Sequence, residues 1–83
     1  MYCDNRNVVK ESYAGTVGGT FTCTNYKGYS ICLINDGASN ITLTVNGLSF
    51  TVKPNETFDE RIGMFTEYTV TDGIQHRRRI RGW

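Results

Sequence analysis

The segment Ile41-Thr-Leu-Thr-Val45-Asn46-Gly47-Leu48-Ser-Phe-Thr-Val52 constrains this chain more tightly than any other. Asn46-Gly47 supplies the two positive φ angles of a type I′ turn, whose twist suits the strands on either side. A two-residue loop sets Val45 opposite Leu48, Leu43 opposite Phe50 and Ile41 opposite Val52. The apolar side chains then share one face, and Thr42, Thr44, Ser49 and Thr51 share the other. A slip of one residue would expose the whole apolar set, so turn and pattern enforce the same hairpin.

The rest of the chain is punctuated like a β protein. Gly18-Gly19, Tyr26-Lys27-Gly28, Asp36-Gly37, Asn46-Gly47, Pro54-Asn55 and Asp72-Gly73 form corners at the spacing of a small sandwich or barrel. Between them Thr20–Asn25, Tyr29–Asn35, Ile41–Val45, Leu48–Val52, Phe65–Thr71 and Ile74–Ile80 are rich in β-branched and aromatic residues. The alternation of Phe65–Thr71 breaks near Thr66-Glu67, which predicts a bend or bulge. Glu56–Ile62 is expected to form one helical turn capped by Asn55. No longer segment holds a helical period.

The fold class that follows is all-β, a small antiparallel β-sandwich or barrel of about six to eight short strands. Residues 1–19, Asn-rich and then Gly-rich, are expected to be an arm with at most one short strand around Val8-Val9. Residues 20–83 form a single antiparallel β domain ending in a basic strand or tail.

At 83 residues the domain buries only about 60 to 65% of the surface its unfolded chain exposes, a size often helped by disulfides, metals or partner subunits. Cys3, Cys23 and Cys32 are odd in number and follow no framework spacing, so free thiols are expected. Cys23 and Cys32, placed on adjacent strands, would be the pair to bridge if any did. No signal peptide is expected from the opening Met1-Tyr-Cys-Asp. No apolar run approaches the ~20 residues of a membrane span. Tyr29-Ser-Ile-Cys-Leu-Ile34 is apolar on nearly both faces, which fits a central strand covered by a second sheet or by a neighbouring subunit, and motivates a homo-oligomer.

Catalysis has little to work with. The single His76 lies among arginines and reads as a surface histidine on a basic strand. Glu56, Asp59 and Glu60 read as a solvated turn rather than paired acid–base groups. Cys3, Cys23, Cys32 and His76 lack the close Cys-x-x-Cys pair of a zinc site. No cofactor is expected. The sequons Asn40-Ile-Thr42 and Asn55-Glu-Thr57 matter only in a chain secreted by a eukaryote.

Charge is distributed unevenly. Residues 75–83 carry Arg77, Arg78, Arg79 and Arg81 and no acid, whereas residues 1–74 carry five Lys/Arg against eight Asp/Glu. In extended form Arg77, Arg79 and Arg81 line one face at about 6.6 to 6.8 Å intervals, with His76, Arg78 and Ile80 on the other. Such a stripe can meet a partner's carboxylates or phosphates; alternatively it is an edge strand whose charges block aggregation. The acidic body argues against nucleic acid. Tyr2, Tyr13, Tyr26, Tyr29 and Trp83 could supply stacking rings to a host-surface glycan. The expected docking residues are Arg77, Arg78, Arg79, Arg81 and Trp83, with Tyr29 and Ile31 from the doubly apolar segment.

Leu33-Ile-Asn-Asp-Gly37, Asn40-Ile-Thr-Leu-Thr-Val-Asn-Gly47, Phe50-Thr-Val-Lys-Pro-Asn-Glu-Thr-Phe-Asp59 and Phe65-Thr-Glu-Tyr-Thr-Val70 occur in this order. Together they resemble small β-sandwich accessory proteins of tailed bacteriophage virions, with their N-D-G turn, T-x-x-V-N-G hairpin, V-K-P-x-E-x-F corner and F-T-x-x-T-V strand. The resemblance covers roughly residues 29–72. It implies a non-enzymatic structural protein of the virion that attaches to capsid, neck or tail proteins, usually in symmetric copies.

Overall fold

The computed structural model describes residues 8–83. Its eight strands are β1 (Val8–Gly15), β2 (Gly19–Thr22), β3 (Gly28–Asn35), β4 (Ile41–Val45), β5 (Leu48–Val52), β6 (Thr57–Phe65), β7 (Glu67–Val70) and β8 (His76–Gly82). They form two four-stranded sheets, ordered β1-β8-β3-β6 and β2-β7-β4-β5, with antiparallel pairings throughout. Strand 1 pairs with 8, 2 with 7, 3 with 6 and 4 with 5. One long hairpin rolled over into two sheets gives this order, which is that of a jelly roll.

The Asn46-Gly47 hairpin is the apex of that ribbon. Its register runs from Ile41 opposite Val52 to Val45 opposite Leu48, as the alternation requires. Asn46 and Gly47 have φ of 52° and 75°. Ile41, Leu43, Val45 and Val52 are buried against Ile31, Leu33, Phe65 and Ile80 of the other sheet. Leu48, at the hairpin tip beside the turn, is 53% exposed although it shares their face.

A Cβ on Gly47 would meet no atom within 4 Å, so a substitution there costs backbone strain alone. Gly47→Val, a β-branched residue forced to positive φ, is expected to destabilise the fold by about 1 to 3 kcal/mol in urea titrations. Thr44→Val on the opposite face should cost less. An unchanged midpoint for Gly47→Val would remove the type I′ assignment.

Several elements depart from the sequence expectation. Glu56–Ile62 is not a helical turn. Thr57–Phe65 is the edge strand β6, paired with β3. Edge strands carry charge on both faces, so Asp59-Glu60-Arg61 concealed the alternation. Asn55 is a turn residue rather than a helix cap: at φ 68° it follows Pro54 in a turn closed by the Glu56 amide donating to the Lys53 carbonyl at 3.0 Å.

The bend expected near Thr66 is present, and it falls between two strands rather than within one. Phe65 pairs with Gly28 in one sheet and Glu67 with Thr22 in the other, so Thr66 is where the chain changes sheets. Within the expected N-terminal arm, Val8–Gly15 forms a full strand paired along β8, with a register shift between Val9 and Glu11. It belongs to the domain, while residues 1–7, including Tyr2 and Cys3, lie outside the described residues.

The doubly apolar β3 lies between β8 and β6. Ile31 and Leu33 face the second sheet and are fully buried, which answers for one face; Cys32 and Ile34 point the other way and are half-buried. At the end of β8 a Cβ on Gly82 would lie 1.9 Å from the Lys27 carbonyl oxygen. Only glycine permits that approach.

Candidate functional site

β8 is an interior strand between β1 and β3, not a tail and not an edge. Blocking edge-to-edge pairing therefore does not account for its arginines. Its burial alternates strictly: His76, Arg78 and Ile80 face the core, while Arg77 and Arg79 are exposed and Arg81 is half-exposed. The outer face of this sheet consequently carries a row of three guanidinium groups.

Register sets the neighbours of that row. Ser12, Arg79, Cys32 and Asp59 stand side by side across four strands, and Ala14, Arg77, Ile34 and Thr57 form the adjacent line. Between them lies a shallow depression of about 200 Å³ lined by Ser12, Ala14, Cys32, Ile34, Arg77 and Arg79 among others. Arg77 holds Asp36 bidentately, Nε to Oδ2 at 2.8 Å and Nη2 to Oδ1 at 2.9 Å. That hydrogen-bonded pairing lowers the Asp36 pKa below the ordinary carboxylate value. Arg81 donates to Asp59 at 3.0 Å. Arg79 has no ion pair among the described residues.

Trp83 stands two residues beyond Arg81. Its ring packs edge-on against Tyr29, with centroids 5.6 Å apart. The structure thus sets Arg77, Arg79 and Arg81 on the outer face of the sheet, and Tyr29 with Trp83 beyond the end of that row, where Trp83 borders a separate depression, all on accessible surface. Two expected docking residues are not there. Ile31 is 1% exposed in the core and Arg78 is 4% exposed, so neither offers a partner any surface. Arg78 shares strand parity with Ile80, and that set is the one turned inward.

Arg78 instead anchors a polar cluster inside the sandwich. Its Nε donates to the Tyr68 hydroxyl at 3.2 Å, and its Nη1 to the Val17 carbonyl at 3.1 Å and to Nε2 of His76 at 2.7 Å. Its guanidinium carbon lies 4.3 Å from the Tyr13 ring centroid and 4.1 Å from that of Phe21. Tyr68 passes the network on by donating to Oε1 of Glu11, which sets a carboxylate one hydroxyl away from the buried cation. Burial first, and then the bond to Glu11, raises the Tyr68 pKa above the ordinary tyrosine value.

His76 is likewise interior and not on the surface. Arg78 can only donate, so Nε2 of His76 accepts and the ring proton sits on Nδ1, which donates to the Ile74 carbonyl at 2.8 Å.

The chain matches no family model, no curated protein and no solved structure. Cys32 lies on the outer face and His76 faces the core, and no group of three His, Cys, Asp or Glu side chains among the described residues could hold a metal ion. Cys23 and Cys32 are free thiols on different sheets: Cys23 follows β2 whereas Cys32 is in β3, so they do not occupy adjacent strands. Burial raises the Cys23 pKa. Asp59 and Glu60 lie on β6 rather than in a turn, and Asp59 is engaged by Arg81.

Proposed function

We propose that this chain is a non-enzymatic accessory structural module of a tailed bacteriophage virion, held on capsid, neck or tail proteins through the outer face of the β1-β8-β3-β6 sheet and present in several copies. The observation that carries the docking role is the outward row Arg77, Arg79 and Arg81 on an interior strand. Arginines there neither guard a sheet edge nor pack the core, and the middle one lacks a carboxylate among the described residues. Beside the row, half-buried Cys32 and Ile34 form an apolar floor, the composition of an interface centre rimmed by charge. The virion assignment rests on the resemblance of the four turn and strand motifs across residues 29–72.

Changing Arg77, Arg79 and Arg81 together to Ser tests the reading. The thermal midpoint should stay within a few degrees, because solvent-exposed ion pairs add little to stability. Occupancy on purified particles, measured as copies per particle, should fall, and most visibly at moderate salt. A folded triple variant that still occupies particles fully at every salt concentration would remove this face as the attachment surface.

A further inference from the structure

Away from the arginine row, the geometry points to a saccharide-binding cleft at the end of the sandwich, in which Trp83 stacks on one face of a pyranose ring while Asn25, Lys27 and Thr66 bind its hydroxyls. The cleft has a volume of about 530 Å³ and is lined by Cys23, Asn25, Tyr26, Lys27, Thr66 and Trp83.

The Trp83 backbone is pinned on Lys27 and its ring is steadied edge-on by Tyr29. Its amide donates to the Lys27 carbonyl at 3.0 Å and its carbonyl accepts from the Lys27 amide at 2.9 Å, while the residue remains 39% exposed. A large apolar ring fixed before binding loses little entropy when a ligand arrives. Its electron-rich face suits the C–H groups that line one side of a pyranose.

Three of the polar side chains around it are uncommitted among the described residues. The Asn25 amide, the Lys27 ammonium and the Thr66 hydroxyl have no side-chain partner among the described residues. Asn25 adopts φ 65°, and the Cys23 amide donates to the Thr66 carbonyl at 2.8 Å, tying the two walls of the cleft together. An amide and a hydroxyl each donate and accept, as sugar hydroxyls require, and the ammonium adds further donors. An acidic peptide would use Lys27 and leave the amide, hydroxyl and indole without a role. Stacking beside mixed donors and acceptors favours a sugar.

Trp83 is the only tryptophan in the chain, so its emission reports directly on the cleft. The full chain would be titrated with methyl α-D-glucopyranoside, methyl α-D-galactopyranoside, N-acetylglucosamine and glucuronate, alongside saturation-transfer NMR. At least one sugar should shift the emission saturably, with transfer concentrated on the C–H protons of one ring face. Trp83→Ala should abolish the transfer, and Asn25→Ala should weaken binding by roughly tenfold, the loss of one well-made hydrogen bond. Lys53→Ser, at the opposite end of the sandwich, should leave it unchanged. If Trp83→Ala fails to fold, Asn25→Ala and Thr66→Val carry the same test. No saturable response to any of the four sugars, or transfer surviving in folded Trp83→Ala, overturns the proposal. So does a response confined to oligodeoxythymidylate or polyglutamate that disappears with salt, which assigns the cleft to charge-driven contacts.

Discussion

Arg78→Met should cost about 3 to 5 kcal/mol of folding stability, a large share of the ~4 to 12 kcal/mol expected for a domain of this size. Methionine fills most of the volume but donates no hydrogen bond. Its introduction leaves the Tyr68 hydroxyl, the Val17 carbonyl and Nε2 of His76 without the donor that Arg78 gives each of them. It also removes the cation held between the Tyr13 and Phe21 rings. Glu11 then keeps its charge beside Tyr68 with no cation behind the hydroxyl.

Arg78→Lys keeps the charge and loses the planar fork, so it should recover only part of the difference. Urea denaturation of both variants measures the effect. A midpoint for Arg78→Met equal to that of the parent would mean that the buried network contributes nothing. The same network sets an alkaline limit. The Tyr68 pKa is raised on folding, so its stabilising contribution is complete below the ordinary tyrosine value near 10 and is lost as pH climbs through the folded value.

The contrast between Arg78 and its neighbours shows where sequence was informative. Turn chemistry and period-2 alternation identified the Asn46-Gly47 hairpin with its full register, because both signals are local and agree. Alternation also separated Arg77, Arg79 and Arg81 from His76, Arg78 and Ile80. It did not say which set faced water. A run of four arginines in five positions looks solvated in both directions, and the rings that make Arg78 a core residue come from β1 and β2, more than fifty positions away. β6 was hidden for a related reason, since its charged face is an edge defined only by the topology. The jelly-roll order itself depends on pairing β1 with β8, a contact between the two ends of the described chain that no local pattern encodes. For the candidate docking face, the arginine row was legible and its floor of Cys32 and Ile34 was not, because a strand apolar on both faces does not show which parity turns outward, and Ile31 was assigned to docking in their place.

Asn35 provides the second large effect, again at a polar residue inside the sandwich. It was legible only as part of an Asn-Asp-Gly turn, yet it is fully buried at the end of β3. Its Nδ2 donates to the carbonyls of Ser39 and Val52, both at 2.8 Å, and its Oδ1 accepts from the Gly37 amide at 2.9 Å. One side chain therefore fastens the β3–β4 loop to the end of β5. Asn35→Asp alters almost no volume, which isolates the hydrogen bonds from packing. The ionised carboxylate would face two carbonyl oxygens without a donor, whereas the protonated acid could still donate to one of them. Burial and that repulsion favour the protonated form, so the introduced group has a raised pKa on folding. Its cost should be smallest in acid and should grow as pH rises through the folded pKa. At neutral pH the penalty should reach about 2 to 4 kcal/mol, the range for buried polar groups left unpaired. Parent and variant denaturation curves at pH 4, 5.5 and 7 give the difference directly. A penalty below about 1 kcal/mol that does not change with pH would mean that water replaces the Asn35 contacts and that the loop is not fastened by this side chain.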